Sequence, residues 1–433
     1  MKVLIVGSGA REHALAWRLR QSPAVTAIWA ASGNGGTAQI ATNLNVSPED
    51  VESIPKYAKG LGIDLVVVGP EQPLAAGLVD LLDSQGIPAF GPTKAAAQIE
   101  ASKSFALDIM RESGVPCPEF HSFQDETLAL DFLSRHSAPS VIKADGLAAG
   151  KGVFMCHTAE DAAAAVRACM SQKVFGGAGE TVVIEEFLEG PEVSVFAFSD
   201  GEHLSAPVAA CDYKRRSDGD VGPNTGGMGS FAPPDFWNDE LAGEITRTIM
   251  EPVIQSMARR GTPYRGVLYA GIMLTKQGPK VLEFNCRFGD PETQVIMPLL
   301  VSDPLDIMTA CIEGQLADTP VEWSKRNYAG VVMVSDGYPD KYETGFEITG
   351  LDDEVKNTTI FHAATRLESG RVVTSGGRVL TVVGSGESLA EARDAAYHRV
   401  RNIGFQGASY RSDIADLEGR TSLWLPDPAA PTG

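Results

Sequence analysis

Three polar residues occupy every second position of an otherwise apolar stretch, VLEFNCRFGDPETQ, which covers residues 281–294. Successive side chains of a β-strand point to opposite faces of its sheet, so Glu283, Asn285 and Arg287 are predicted to share one face. That polar face is a candidate site of chemistry. The apolar residues between them are expected to face the core: Leu282, Phe284 and Cys286.

Glu283 and Asn285 are candidate metal ligands. Both carry hard oxygen donors, and Mg²⁺ is typically held by one or two protein oxygens together with substrate phosphates. Arg287 continues the same face, and its planar guanidinium could bind a carboxylate or a phosphate through two hydrogen bonds. The alternative is a solvated sheet face on which Arg287 pairs locally.

A glycine-rich loop in VIKADGLAAGKGVFMC forms the second candidate. Residues 140–143 and 153–156 are predicted strands, so the loop joins two strands and could lie flat over phosphates. Lys143 would place a positive charge beside whatever the loop covers. The loop is not a P-loop, because Lys151 is followed by Gly152 and more strand and not by a helix. A purely structural glycine turn is the alternative.

The stretch VVIEEFLEGPE, residues 182–192, is a candidate hinge. Its first three residues are predicted to be buried, and its acids stand where the strand ends. The exposed backbone of such a hinge can pair with an adenine edge while a carboxylate binds the ribose hydroxyls. A solvated strand end is the alternative.

The segment CDYKRRSDGDVGPNTGGMGSFAPP is too polar and too rich in glycine for a core. Residues 225–229 could expose successive N–H groups that bind an anion, with Asp212 and Lys214 on the approach. The alternative is a mobile surface loop.

The first strand ends in the turn Gly7-Ser8-Gly9-Ala10-Arg11-Glu12. Glu12 stands where a dinucleotide fingerprint has its third glycine, so a nicotinamide site is disfavoured. Free N–H groups at the start of the following helix, with Arg11 pointing outward, could bind an anion. The alternative is a tight turn that only requires small residues.

The composition excludes several classes of protein. With 433 residues the chain is long enough for two to four domains of roughly 100 to 200 residues. No apolar run approaches the ~20 residues of a membrane span. A net charge of −20 opposes non-specific nucleic-acid binding. Six cysteines without paired spacing, and a buried strand in place of a signal peptide, favour the reducing cytoplasm.

The pattern of strands and helices predicts a multidomain protein of mixed α/β and α+β class. Val/Ile-rich runs without alternation, separated by helices, indicate a doubly wound parallel sheet at the start of the chain. The predicted parts are an N-terminal Rossmann-like domain (1–101), a central domain (102–118 and 193–324), a compact α+β subdomain (119–192) and a C-terminal mixed α/β domain (325–433). Within the last part, strands are predicted at 328–335, 360–369 and 377–386, and a helix from Leu389 to Arg401.

Five motifs occur in a telling order along the chain: GSGAREHALAW, KADGLAAGKGV, EEFLEGPE, PNTGGMG and EFNCRFGDPETQ. Together they resemble the glycinamide ribonucleotide synthetase family of the ATP-grasp superfamily. The resemblance implies an ATP-grasp fold, in which residues 119–192 form the lid subdomain. It also implies an ATP-dependent ligase of de novo purine synthesis, which joins glycine to 5-phosphoribosylamine through a glycyl phosphate intermediate.

The resemblance implies roles for individual residues. Glu283 and Asn285 would hold Mg²⁺ or Mn²⁺. The backbone from Glu186 to Leu188 would contact adenine, and Glu192 would bind the ribose. The residues implied to bind ATP are Lys103, Lys143, Gly146, Gly150, Lys151, Gly152, Glu185, Glu186, Phe187, Leu188 and Glu192.

Glycine and phosphoribosylamine are implied to bind on the other side of the site. Arg287 would bind the carboxylate of glycine, and the turn from Gly9 to Arg11 would face the ribose phosphate. Arg287, Lys143 and Asp212 are the implied catalytic residues. The residues implied to bind substrate are Gly9, Ala10, Arg11, Asp212, Lys214, Gly226, Gly227, Met228, Gly229 and Arg287.

Other readings of the sequence remain open at this stage. A related ATP-grasp ligase or carboxylase of purine or biotin metabolism would share the lid and the metal strand but use bicarbonate or formate. A nucleotide-binding protein without catalysis, or a nicotinamide oxidoreductase, belongs to a different class. The expected partners are small molecules only, with no nucleic acid and no membrane, and the expected state is a monomer in the cytoplasm.

Overall fold

The computed structural model describes residues 1–136, 138–148 and 152–417. Its N-terminal part is built around a five-stranded sheet. The elements are β1 (Lys2–Gly7), α1 (Ala10–Leu19), β2 (Ala27–Ser32), α2 (Thr37–Ile40), β3 (Thr42–Leu44), α3 (Ile54–Leu61), β4 (Leu65–Val68), α4 (Glu71–Ala76), α5 (Leu78–Ser84), β5 (Ala89–Phe90) and α6 (Gln98–Ala101). The strands are all parallel, in the order β3-β2-β1-β4-β5.

Burial on both faces explains the unbroken apolar runs of this sheet. In β1, Leu4 and Val6 belong to one hydrophobic core, whereas Val3 and Ile5 belong to a second core on the opposite face. A strand covered on both sides has no solvent-facing positions, so its sequence does not alternate. The predicted doubly wound parallel sheet is confirmed.

The next part of the chain is a helix followed by a small sheet. The elements are α7 (Lys103–Ser113), β6 (Phe120–Phe123), α8 (Glu126–Arg135), β7 (Ser140–Ala144), β8 (Val153–Cys156), α9 (Ala159–Met170), a 3-10 turn (Gly176–Gly179) and β9 (Val182–Glu186). The strand order is β6-β9-β7-β8. Because β7 and β8 pair antiparallel, the glycine-rich loop joins neighbouring strands as predicted.

An eight-stranded sheet dominates the rest of the molecule. In chain order, the elements that follow are β10 (Glu192–Asp200), β11 (Val208–Asp212), β12 (Arg215–Ser217), β13 (Val221–Asn224), β14 (Gly229–Ala232), α10 (Asp239–Ile245), a π-helical turn (Thr246–Met250), α11 (Glu251–Arg259), β15 (Arg265–Thr275), β16 (Gly278–Asn285), α12 (Thr293–Ile296) and α13 (Pro304–Glu313). A 3-10 turn (Leu316–Asp318) follows. The strands β12 and β13 form a separate two-stranded hairpin.

The C-terminal part continues this sheet. Its elements are β17 (Asn327–Val334), β18 (Thr358–His362), β19 (Thr365–Glu368), β20 (Arg371–Thr374), β21 (Arg378–Gly386) and α14 (Leu389–Val400). The eight strands follow the order β16-β15-β10-β11-β14-β17-β21-β18, so one sheet crosses the predicted boundary at residue 325. The division of the chain into four parts stays a prediction. The prediction of a single strand over 360–369 is wrong, because β18 ends at His362 and a separate strand, β19, begins at Thr365.

Candidate active site

A cleft of about 390 Å³ opens where the N-terminal part, α7, the small sheet and the end of β16 meet. The cleft brings together residues that are far apart in the sequence. The sequence-predicted residues that line it are Arg11, Lys103, Lys143, Glu185, Gly226, Glu283, Asn285 and Arg287.

Lys143 is fixed deep in this cleft by two partners. It stands on β7, and its Nζ lies 2.7 Å from Oε2 of Glu185, which the neighbouring strand β9 presents. The same Nζ donates to the carbonyl of Leu282 at 2.9 Å. Only 7% of the Lys143 side chain and 3% of the Glu185 side chain are exposed, so the ammonium is held in one place.

Glu283 lies among positive charges. Burial alone would raise the pKa of its carboxyl, but the charges of Lys214, Lys143 and Lys103 outweigh that effect and hold the pKa below its ordinary value. Lys103, at the first position of α7, shows the converse: burial lowers the pKa of its amine despite the nearby Glu283. The cleft therefore holds an ionised carboxylate within reach of three lysines.

The pair Glu283 and Asn285 fits a metal ion only after one rotation. The amide of Asn285 presents its NH₂ to Glu283 at 3.4 Å and its oxygen to Arg287 at 3.2 Å. A shared ion would require the amide to turn by half a rotation, so that two oxygens face each other. Among the described residues, no group of three or more His, Cys, Asp or Glu could hold a metal ion. Glu283 and Asn285 stay candidate ligands, and nucleotide or water oxygens would supply the others.

The predicted alternation along this strand is wrong at Leu282. The pairing of β15 with β16 shifts by one residue there, since Ile272 is opposite Val281 and Gly271 is opposite Glu283. Leu282 therefore lies half-buried in the wall of the cleft instead of in the core.

Arg287 has two carboxylate partners that the sequence did not reveal. Its Nη2 lies 2.8 Å from Oε1 of Glu100, and its Nε lies 3.3 Å from Oε2 of Glu71. The other oxygen of Glu100 accepts the backbone N–H of Cys286 at 2.7 Å. Burial raises the pKa of Glu100 even though Arg287 opposes the rise. The guanidinium expected to bind an anion thus already joins the strand end to the N-terminal part.

A sequence signal for Glu71 was available. Glu71 comes three residues after the end of β4, and the crevice beyond the carboxyl ends of parallel strands is where ligands bind in such sheets. Two other lining residues, Asp290 and Arg378, had no such signal. They pair at 3.4 Å, and Arg378 also donates to the carbonyl of Gly226.

The expectation that Arg11 points outward is wrong. Arg11 is buried, its Nε lies 2.5 Å from Glu12, and its Nη1 donates to the carbonyl of Phe288 at 3.1 Å. The carboxylate of Glu12 also accepts the N–H of Gly9 at 2.6 Å, so it forms the cap at the start of α1 that an external anion was expected to form. Gly9 and Ala10 do not line the cleft.

The row of free N–H groups expected in residues 225–229 is also wrong. Four of the five have a protein partner: Thr225 N–H donates to Lys214, Gly226 N–H to Tyr338, Gly227 N–H to Thr225, and Met228 N–H to Tyr213. Of this segment only Gly226 lines the cleft. Gly227 has a φ of +108°, and a Cβ there would lie 2.4 Å from Pro291, so only glycine fits. Gly229 and Met228 are buried.

Asp212 and Lys214 lie at the base of the same segment. Lys214 pairs with Glu192, which therefore faces a lysine where a ribose hydroxyl was predicted. Burial raises the pKa of Asp212 to about 8, with the carboxylates of Glu292 and Glu192 adding to the rise and Lys214 opposing it. Asp212 is consequently a carboxyl group that can change its charge near neutral pH.

The other described residues that were predicted to bind ATP do not line the cleft. Glu186 pairs with Lys280 at 3.0 Å, and Phe187 contacts the ring of His157. Leu188 is buried at the start of the crossing to β10. At the two described ends of the glycine-rich loop lie Gly146 and Gly152, and the loop itself reaches the cleft through Leu147 and Ala148. The predicted residues Gly150 and Lys151 lie outside the described residues.

Comparison with known proteins first defines the class. Residues 101–293 match the family model described as the ATP-grasp (A) domain of phosphoribosylglycinamide synthetase. A biotin carboxylase from Campylobacter jejuni, solved as a β,γ-ATP complex, shares the fold with a TM-score of 0.70 at 14% identity, covering 94% of this chain and 92% of that chain. The protein is an ATP-grasp protein.

The sequence then defines the family. Residues 1–100 match the N domain of phosphoribosylglycinamide synthetase, and residues 328–417 match its C domain. The chain belongs to the phosphoribosylglycinamide synthetase family. The crystal structure of phosphoribosylamine–glycine ligase from Thermotoga maritima is similar to it with a TM-score of 0.81 and 33% identity, covering 95% of this chain and all of that one.

Two curated relatives are similar over nearly the whole chain. Phosphoribosylamine–glycine ligase from Caldanaerobacter subterraneus is 48% identical over 415 residues, which cover 96% of this chain and 99% of the relative. The trifunctional purine biosynthetic protein adenosine-3 from Gallus gallus is 49% identical over 418 residues, which cover 95% of this chain and 42% of that larger protein. In the described parts of the chain, no helix has the length and apolar character needed to cross a membrane.

Proposed function

We propose that the chain is an ATP-dependent ligase that joins glycine to 5-phosphoribosylamine, with glycinamide ribonucleotide, ADP and phosphate as products. The observation that carries this proposal is the cleft in which Lys103, Lys143 and Glu283 lie beneath the glycine-rich loop. Such a cleft suits a nucleoside triphosphate, because the lysines offset the charge of its phosphates and the glycine-rich loop covers them. The relatives named phosphoribosylamine–glycine ligase support the choice of substrates.

The chemistry requires activation of a carboxylate, which is a poor electrophile. An oxygen of the glycine carboxylate attacks the γ-phosphorus of ATP, the bond to the bridging oxygen breaks, and ADP leaves. The amine of phosphoribosylamine then attacks the carbonyl carbon of glycyl phosphate and loses a proton. Phosphate departs with the oxygen that came from glycine. Each step needs positioning, charge neutralisation and exclusion of water more than a protein nucleophile.

The cleft residues supply those three things in this proposal. Lys143, fixed between Glu185 and the carbonyl of Leu282, and Lys103 at the start of α7 bind the phosphates of ATP. Glu283 and Asn285 would hold Mg²⁺ or Mn²⁺, an ion that would neutralise charge on the phosphates. The glycine-rich loop excludes the water that would hydrolyse the acyl phosphate.

The substrate side of the cleft is assigned by charge. Asp212 does not line the cleft, but its neighbour Lys214 carries a charge that acts on Glu283 of the cleft, and in this proposal Asp212 would bind the ammonium of glycine, as the family resemblance implies. Three arginines line the cleft, Arg287, Arg11 and Arg378. Each already pairs with a carboxylate, and in this proposal they also receive the ribose phosphate and the glycine carboxylate. We also propose a cytoplasmic location, because all six cysteines are free thiols. We propose a monomer as the functional state.

Phosphate release from ATP, measured with freshly generated phosphoribosylamine and with or without glycine, tests the function. We expect release that depends on glycine, together with glycinamide ribonucleotide detected by mass, and a loss of both in Glu283→Gln. Release that ignores glycine or requires bicarbonate would instead identify another ATP-grasp ligase or carboxylase. An absence of ATP turnover with every acid and amine would make the chain a nucleotide-binding protein.

A further inference from the structure

The hairpin formed by β12 and β13 leaves the main sheet and must be supported from outside. It lies within residues 213–228, an excursion between β11 and β14, and its strands pair only with each other among the described residues. A two-stranded hairpin is marginally stable in water without further packing. Asp212 and Lys214 stand at the start of this excursion, and Gly226 stands near its end.

Residues 409–415, which follow α14, supply polar contacts to the tip of the hairpin. The backbone N–H of Ser412 donates to Oδ1 of Asp218 at 2.8 Å, and its hydroxyl donates to the other oxygen of that carboxylate. The carboxylate of Asp413 accepts the N–H of Gly219 at 2.9 Å. These hydrogen bonds involve a charged partner, which makes them stronger than neutral ones.

Arg411 extends the same contact along the hairpin. Its side chain is fully buried, and Nη1 donates to the carbonyl of Arg215 at 3.0 Å and to Oδ1 of Asp220 at 3.1 Å. Asp220 has a φ of +60°, and the bond to Arg411 helps to hold the turn in that conformation. Arg216 of the hairpin forms a further hydrogen bond to the same segment, because it donates to the hydroxyl of Ser409 at 2.7 Å.

Residues 409–415 also contact the base of the hairpin. The guanidinium of Arg411 lies 4.8 Å from the ring centre of Tyr213, and the N–H of Ala415 donates to the Tyr213 hydroxyl at 2.8 Å. Tyr213 stands directly between Asp212 and Lys214 in the chain. A displacement of Tyr213 would therefore move both of the charged groups beside it.

We propose that residues 409–415 are a positioning element for the glycine end of the active site. They hold the hairpin so that Asp212 and Lys214 keep their places beside Glu192 and Glu283. This gives the end of the C-terminal part a role in substrate binding that its distance from the cleft does not suggest. The inference rests on the proposed function, in which Asp212 faces the ammonium of glycine.

The test uses the full-length chain and exposed residues of the hairpin tip. Asp218→Ala combined with Asp220→Gly removes both carboxylates that contact residues 409–415, tolerates the φ of +60° at position 220 and leaves the buried Arg411 in place. We expect the KM for glycine to rise about tenfold or more, since misplacement by about 1 Å can cost ~100-fold. The KM for ATP should stay within about twofold, and Asp218→Asn, which keeps one acceptor, should give an intermediate value.

Amide hydrogen exchange of residues 213–228 provides a readout that does not depend on the reaction. We expect faster exchange in the double variant and unchanged exchange in the control Glu347→Gln, which removes an exposed ion pair with Arg371 in the same C-terminal part. Unchanged exchange in the double variant would overturn the proposal. Faster exchange with an unchanged KM for glycine would overturn the positioning role. If the unaltered chain made no glycinamide ribonucleotide, the proposed function would fail, while the exchange result would still decide whether the segment holds the hairpin.

Discussion

Removal of the Arg287 guanidinium should destabilise the fold strongly, because it leaves two carboxylates without their partner. In Arg287→Met, the side chain volume is largely kept, but Glu100 and Glu71 lose the charge that lies 2.8 and 3.3 Å from them. Only 7% of Glu100 and 19% of Glu71 is exposed, so water cannot replace the lost interaction fully. The effect is therefore larger than that of a surface ion pair.

The magnitude follows from burial and charge. At an effective dielectric constant of about 20, two unit charges about 4 Å apart attract by about 4 kcal/mol. Desolvation offsets much of that attraction while the pair is intact, but loss of one partner leaves the cost of the buried charge, which is about 3–5 kcal/mol. Burial raises the pKa of Glu100, and loss of Arg287 would raise it further. Protonation then relieves part of the penalty, so the loss should be smaller at pH 5 than at pH 8.

Urea unfolding of the variants measures this prediction. Arg287→Met should lower the free energy of unfolding by about 3–5 kcal/mol, and adding Glu100→Gln should recover part of it. The control Arg366→Met removes an exposed pair with Glu368 and should cost at most about 1 kcal/mol. If Arg287→Met cost no more than this control, the reasoning would be refuted. If the double variant regained stability but not glycine binding, Arg287 would contact the substrate as well as the fold.

Three further predictions concern other parts of the molecule. Burial lowers the pKa of His13 to about 3 and the pKa of His362 to about 4. Their contribution to the free energy of unfolding is therefore full above pH ~6.5 and falls by about 2 kcal/mol per histidine at pH 5. In urea titrations, a variant with both histidines changed to Gln should lose less unfolding free energy over this pH range. Lys143→Met should raise the KM for ATP at least about tenfold, whereas Arg326→Met, which breaks an exposed pair with Glu387, should leave it within about twofold. Gly229→Ala should lower the melting temperature, because a Cβ there would lie 2.7 Å from a backbone carbonyl and from a neighbouring isoleucine.

Local pattern was sufficient to predict much of the fold. The Val- and Ile-rich runs of the first hundred residues predict parallel strands because each strand is buried on both faces. The glycine-rich loop between Lys143 and Val153 was correctly placed between two antiparallel strands. Helix α7 begins at Lys103 after the cap Ser102 and ends before Gly114, whose left-handed conformation is typical of the end of a helix.

Long-range pairing could not be predicted from local pattern. Arg287 was expected to be free for a ligand, but its partners lie 187 and 216 residues earlier in the chain. The N–H of Gly226 looked available because its partner, the hydroxyl of Tyr338, lies 112 residues later in the chain. The alternation rule predicted that Leu282 faces the core, but a one-residue shift in the pairing of β15 with β16 places it in the wall of the cleft. In each case the sequence identified a residue of interest, and tertiary contacts determined what it faces.

The central claim is that this cleft activates the carboxylate of glycine by transferring a phosphoryl group to it. The most direct test uses glycine labelled with oxygen-18 in both carboxylate oxygens, with ATP and freshly generated phosphoribosylamine. The account predicts one oxygen-18 atom in each phosphate released and one retained in the amide of glycinamide ribonucleotide. Phosphate released without the label would contradict it, because the oxygen would then have come from water or another acid.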